Sequence, residues 1–238
     1  MGEPAGGPGD GVLTRQQASD AVTALGWRYI LGVVRTSVRV RSLPEAANVA
    51  ARAVAAAGDD ARHCLRADLR PDRVILTVQS PDTPTVTSRE TSLAERVSAA
   101  MTGLGLATDA DVGADGPRSA QLIEIAIDAV DIPAIRPFWQ AVMGYTDEPW
   151  APAPGDGLVD PLGQGPAIWF QQMDAPRPQR NRIHFDISVP HDEARHRIED
   201  ALAAGGKLLS DAAAPAFWVL ADPEGNEACV TTWQGRDA

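Results

Sequence analysis

The chain has little positive charge. Its 238 residues carry 21 lysines and arginines against 32 acidic side chains, a formal net charge of −11, and Lys207 is the one lysine. With no basic stripe to neutralise phosphates, nucleic acid is not an expected partner, and an anionic membrane surface is disfavoured for the same reason. Long apolar runs are missing too: nothing approaches the roughly 18–20 residues a membrane helix needs. Residues 1–11 are rich in Gly, Pro and acid and lack the basic-then-apolar order of a secretory signal. The two cysteines, Cys64 and Cys229, are far apart and form no CxxC pair. A reduced, cytoplasmic protein is the simplest expectation. Four histidines, His63, His184, His191 and His196, exclude a site with three imidazoles unless distant segments converge.

Core-forming material is plentiful. Hydrophobic residues make up 44% of the chain, and the length suits two small domains. Residues 1–11 read as a flexible tail, and the Gly-, Asp-, Pro- and Ser-rich stretch 106–119 reads as a linker between domains at 12–105 and 120–238. In the first, Thr14 with Gln17 makes a capping box for a helix through Ala18, Val22 and Leu25 that Gly26 can end. Two short strands fit Trp27 to Arg41. Ser42 with Glu45 caps an Ala-rich helix that closes at Gly58, and strands follow over Cys64–Leu69 and Arg73–Val78. Thr87 with Glu90 caps a last helix bearing Leu93, Val97 and Met101 on one face. That order predicts an α+β domain, an antiparallel sheet with helices on one face.

The second domain echoes itself. Residues 123–131 alternate as a half-buried strand and lead into a helix from Pro133 to Met143, ending at Gly144. Sixty residues later, Ile183–Val189 alternate in the same way and lead into a helix from Asp192 to Ala204, ending at Gly205. Strands are expected at Ala167–Gln172, Phe217–Leu220 and Ala228–Thr232, giving two βαβββ units around a cleft. Aligning Ile123 with Ile183 sets Glu124 opposite His184 at the start of each copy. A carboxylate and an imidazole there could bind a divalent metal or work as a base and acid pair. Both could equally be strand residues bonded to their neighbours. The rings of Trp139, Trp169, Trp218, Trp233, Phe138, Phe170 and Phe217 could wall a pocket, as Trp169 is expected to, or fill the core.

Residues 131–145 (DIPAIRPFWQAVMGY), 181–186 (NRIHFD) and 222–230 (DPEGNEACV) resemble the glyoxalase/vicinal-oxygen-chelate superfamily, and more narrowly its actinobacterial glyoxalase-like branch. The resemblance covers about residues 120–234 and implies paired βαβββ units and a small-molecule site, often with a metal. It places ligands on the first and last strands of each copy. Carried over, those places hold Glu124, His184 and Cys229, with Gln171 or Gln172 in the first copy's last strand, so that Glu124, His184 and Cys229 are the candidate metal ligands. A thiol in that set favours zinc or a softer ion over magnesium or manganese. The two-histidine triad of ring-cleaving dioxygenases is not recovered.

Residues 13–27 (LTRQQASDAVTALGW), 62–64 (RHC), 73–78 (RVILTV) and the segment TSRETSLAERV resemble the pterin-4a-carbinolamine dehydratase family over about residues 11–105. The family motif is degenerate here. His63 matches its second histidine, Arg62 replaces the first, Pro81 replaces a later one, and Asp59 stands one place from the upstream acid position. A guanidinium cannot act as a general acid near neutral pH, so the usual proton path is interrupted. Asp59, Arg62 and His63 could still hold a polar ring system.

Together these readings lead to a small-molecule protein whose glyoxalase-like half performs lyase- or isomerase-type proton transfer, with Glu124 and His184 central and Gln171, Gln172, Trp169 and Cys229 lining the site. The alternatives are 4a-hydroxytetrahydrobiopterin dehydration with His63 as the residual acid, and non-catalytic sequestration of a ligand. No cofactor beyond a divalent metal is expected, and a homo-oligomer, a dimer, is the expected assembly.

Overall fold

The computed structural model describes residues 11–81, 83–110, 122–148, 155–176 and 183–235. The chain forms two compact units, Met1–Leu122 and Ile123–Ala238. Among the described residues no helix is long and apolar enough to cross a membrane.

In the first unit both arms of the Thr14–Gln17 capping box are made, and helix α1 (Arg15–Thr23) follows. It stops before Gly26, which takes φ +77° in the turn behind it. A Cβ there would lie 2.1 Å from the Thr108 carbonyl oxygen, so the turn tolerates only glycine. Strands β1 (Arg28–Ile30) and β2 (Val33–Arg39) precede α2 (Leu43–Ala57), a one-turn helix α3 (Ala61–Cys64), β3 (Leu65–Leu69), β4 (Arg73–Gln79), α4 (Ser88–Thr102) and β5 (Thr108–Asp109). The antiparallel sheet runs β1-β2-β4-β3, and β5 pairs with β2. Val74, Leu76 and Val78 of β4 point to one side and share a core with Val49 and Ala53 of α2 and Leu93, Val97 and Met101 of α4. The expected linker is shorter than its composition suggests. Leu106 packs on this core, and Ser37 donates from its side chain to the Asp109 carbonyl, so residues up to 110 belong to the first unit. Residues 1–10 of the expected tail and 111–119 of the linker lie outside the described residues.

The second unit contains the repeat. Its first copy is β6 (Glu124–Ala129), α5 (Ile132–Met143), β7 (Thr146–Asp147), β8 (Leu158–Val159) and β9 (Ala167–Gln172). Its second is β10 (Phe185–Ser188), α6 (Ala194–Ala203), β11 (Lys207–Ser210), β12 (Phe217–Ala221) and β13 (Glu227–Thr231). The two sheets share one order, β6-β9-β8-β7 and β10-β13-β12-β11, with first and last strands parallel and the other pairs antiparallel. This is a mixed α+β fold of the glyoxalase/vicinal-oxygen-chelate kind. Both copies feed one core: Ile135, Phe138, Trp139 and Val142 of α5 meet Ala194 and Ala201 of α6 and the inward residues of both sheets. The Trp139 ring meets Phe138 and Phe185 edge-on, at centroid distances of 5.4 and 5.7 Å. Such contacts fix ring geometry beyond simple area burial.

Two aspartate turns anchor the sheets. Asp222 is fully buried and accepts from the backbone N–H groups of Glu224 and Asn226, the Asn226 side chain and the Trp139 indole. Glu224, in the same turn, accepts from the backbone N–H groups of Val130 and Asp131, joining the copies. In the first copy Asp160 accepts from the N–H groups of Leu162, Gln164 and Gly165. Burial pushes the Asp160 carboxyl up, but its backbone donors outweigh that and hold its pKa below the usual carboxylate value.

Candidate functional site

Strand alternation decides which side chains can meet a ligand. In β6, Ile125, Ile127 and Ala129 turn toward the helices, so Glu124, Ala126 and Asp128 lie on the open face. In β10, Phe185 and Ile187 turn inward, which leaves Asp186 and Ser188 on the open face, with His184 in phase just before the strand. Glu124 and His184 therefore do hold equivalent places in the two copies. Register extends the comparison to the last strands, because Ala126 pairs with Trp169 in the first copy and Asp186 with Cys229 in the second.

The structure brings three donors together on this face. One ligand atom each from His184, Asp186 and Cys229 lie within 4.8 Å of one another. His184 Nε2 stands 3.7 Å from Asp186 Oδ1, with both side chains at least half exposed. Cys229 is 4% exposed but lies outside the apolar cluster that holds its neighbours Ala228 and Val230. An imidazole, a carboxylate and a thiol fit a borderline ion such as zinc and do not fit the oxygen shell of magnesium or calcium.

Several expected members fall elsewhere. Glu124 is exposed and is not part of this cluster. It sits on a different sheet from His184, and among the described residues no hydrogen bond or ion pair joins the two. Asp186 takes the place expected of Glu124, because a two-residue period on β10 sets it beside His184 and its register sets it beside Cys229. The counterpart of Cys229 is Trp169, 42% exposed, rather than either glutamine. Gln171 shares the Trp169 face. Gln172 is out of phase, and its amide donates to the carbonyls of Ala129, Val130 and Met173, closing the strand end instead of lining a site. Of the other rings, Trp139, Phe138 and Phe170 are core, Trp218 packs on it, and Phe217 and Trp233 are exposed. His191 meets Trp233 edge-on, and His196 sits 3.5 Å from Asp200 one helical turn on.

In the first unit Asp59 and Arg62 are exposed, and the His63 side chain lies outside the described residues. The acid that is held is Asp60, which accepts from Arg89 at 2.8 Å and Arg96 at 2.6 Å. Burial raises its pKa, and the two guanidiniums more than offset this, so it stays below the usual carboxylate value. Cys64 is buried beside the fully buried Glu90, to which its thiol donates, and burial pushes its pKa up to about 11. It is a structural thiol at working pH.

Sequence reasoning missed Asp186 and the Asp160 turn, although both left a signal. The segment HFD places His184 and Asp186 two apart on a strand, and Asp160-Pro-Leu-Gly-Gln repeats the Asp222-Pro-Glu-Gly-Asn pattern.

No curated protein matches the chain. Among solved structures, one similar chain is a glyoxalase/bleomycin resistance protein/dioxygenase family enzyme from Burkholderia phytofirmans (22% identity, TM-score 0.40, 48% of this chain and 98% of that one). Another is a genomically encoded fosfomycin resistance protein, FosX, from Listeria monocytogenes (14% identity, TM-score 0.37, 48% and 91%). A transcriptional coactivator/pterin dehydratase from Brucella melitensis is similar over 38% of this chain and 98% of its own (22% identity, TM-score 0.33). Residues 124–231, the segment that carries both copies and the cluster, match the family described as a glyoxalase-like domain.

Proposed function

We propose that the glyoxalase-like domain binds a small organic molecule on the open face of its sheets and moves a proton on it, as a lyase or isomerase. The observation behind this is the equivalent placement of Glu124 and His184 on the face turned away from the shared core. Glu124 acts as the base that accepts a proton from carbon. The side of the site bearing His184 holds the substrate oxygen on which charge develops, the step where an enzyme gains most from fixed polar groups. Trp169 supplies a flat apolar wall, and Gln171 lies on the same face.

The test uses carbonyl compounds with exchangeable α-protons in deuterated water, followed by proton NMR. The wild-type chain accelerates exchange for the compound it recognises, and Glu124→Gln lowers that rate by about a hundredfold or more. Exchange unaffected by the substitution would overturn the assignment, and binding without exchange would make the protein a sequestering one. Among the described residues of the first unit, Asp59 and Arg62 are exposed and do not favour carbinolamine dehydration over this reading.

A further inference from the structure

We propose that His184, Asp186 and Cys229 form a thiolate-containing metal centre built entirely within the second copy, selective for zinc-like ions and leaving Glu124 outside the coordination shell. The proposal shares the open face with the function read above but does not depend on turnover.

The geometry points to an ion at a common centre. A tetrahedral ion with bonds of about 2.0–2.3 Å holds its ligand atoms about 3.3–3.7 Å apart. The His184–Asp186 separation is already 3.7 Å, and all three donors lie within 4.8 Å of one another. Small side-chain rotations close the remainder. The backbone makes the grouping durable, because Asp186 and Cys229 are register partners on adjacent parallel strands. Convergence also argues against a nucleophile relay. In a Cys–His–Asp relay the imidazole stands between the other two and uses a different nitrogen for each. Here one imidazole nitrogen lies near both the thiol and the carboxylate. Three protein donors leave the fourth position open for a water or a ligand oxygen, the arrangement of catalytic rather than structural zinc sites. On binding, the Cys229 thiol releases its proton to solvent and the thiolate donates its electron pair to the ion, with no change of oxidation state.

Cobalt(II) is the probe, added to the full chain after chelator treatment. The expected result is one equivalent of Co²⁺ giving strong visible bands of tetrahedral geometry and a near-ultraviolet thiolate-to-cobalt band, both displaced by Zn²⁺. Cys229→Ser removes the thiolate band. Asp186→Asn and His184→Ala weaken Co²⁺ binding at least about tenfold. Glu124→Gln and Cys64→Ala leave the spectrum unchanged. Absence of the thiolate band in the wild type, its survival in Cys229→Ser, or its loss in Glu124→Gln would each overturn the centre. In an ion-free relay, iodoacetamide would modify Cys229 rapidly and Zn²⁺ would not protect it, which also overturns the proposal. A Glu124-dependent exchange rate that persists without metal binding defeats this inference alone. A cobalt spectrum without exchange defeats the proposed function alone.

Discussion

The two copies of the glyoxalase-like domain share strand order, register and an Asp-Pro turn, yet differ in what they display. At the first strand the first copy has Glu124 and the second His184. Two residues on, the first copy has Ala126 where the second has Asp186, and their register partners on the last strands are Trp169 and Cys229. One copy therefore offers the carboxylates of Glu124 and Asp128 and an exposed ring, while the other gathers three ligating donors. The turns differ as well. Asp222 is fully buried and reaches across to Trp139, whereas Asp160 is half-buried and serves its own loop. A duplicated backbone can thus keep its hydrogen-bond anchors while the open-face positions take up separate tasks.

The largest effect that tests this contrast is on stability. Asp222→Ala strands a buried indole N–H and the turn amides, and should destabilise the second unit by about 3–5 kcal/mol in urea unfolding followed by tryptophan fluorescence. Asp160→Ala, in a wetter turn, should cost about 1–2 kcal/mol. Equal losses would mean that the two turns are not divided as described.

Next comes the buried thiol of the first unit. The folded pKa of Cys64, about 11, lies above the ordinary thiol value of 9.0. The unfolded thiol therefore ionises first, and the stability linked to Cys64 is intact below about pH 9 and is lost as pH rises toward 11. Cys64→Ala should flatten the stability profile in that window. A fall that persists in Cys64→Ala would assign it to another group.

Smaller still are the turn glycines. Gly163 and Gly225 hold φ of +64° and +95°, and alanine at either should cost about 1 kcal/mol by thermal unfolding, alike in the two copies. Least of all, Trp169→Ala should change stability by no more than about 0.5 kcal/mol, because the ring stands on the open face. A larger loss would make Trp169 a packing residue and remove the wall from the proposed site.

Much of the fold was legible because its signals are local. The Thr14, Ser42 and Thr87 caps start the helices they predict, and Glu90 completes its capping box from a fully buried position. Gly58 and Gly144 follow the helices expected to end there. The two-residue strands β5, β7 and β8 carry no period and are defined only by their partners, and β11 was likewise not expected. In the site, alternation sets Glu124 and His184 in the same phase, each on or just before the first strand of its copy. It could not assign the last strand of the first copy, where Gly165 and Pro166 lengthen the path from the Asp160 turn to β9 and shift Trp169, not a glutamine, into the place of Cys229.

The sequence by itself determined the scarcity that frames the chemistry: one lysine, four histidines, two cysteines and a surplus of acid, with apolar periods and caps that specify two α+β halves. Those are properties of composition and of contacts a few residues apart. Only the tertiary structure decided which rare groups meet. It left Cys64 sealed beside Glu90 and Asp60 tied to two arginines, while parallel pairing of β10 with β13 set Cys229 beside Asp186 and His184. Residues more than forty positions apart become neighbours through strand register, which the long connection between β10 and β13 leaves unspecified until the core closes.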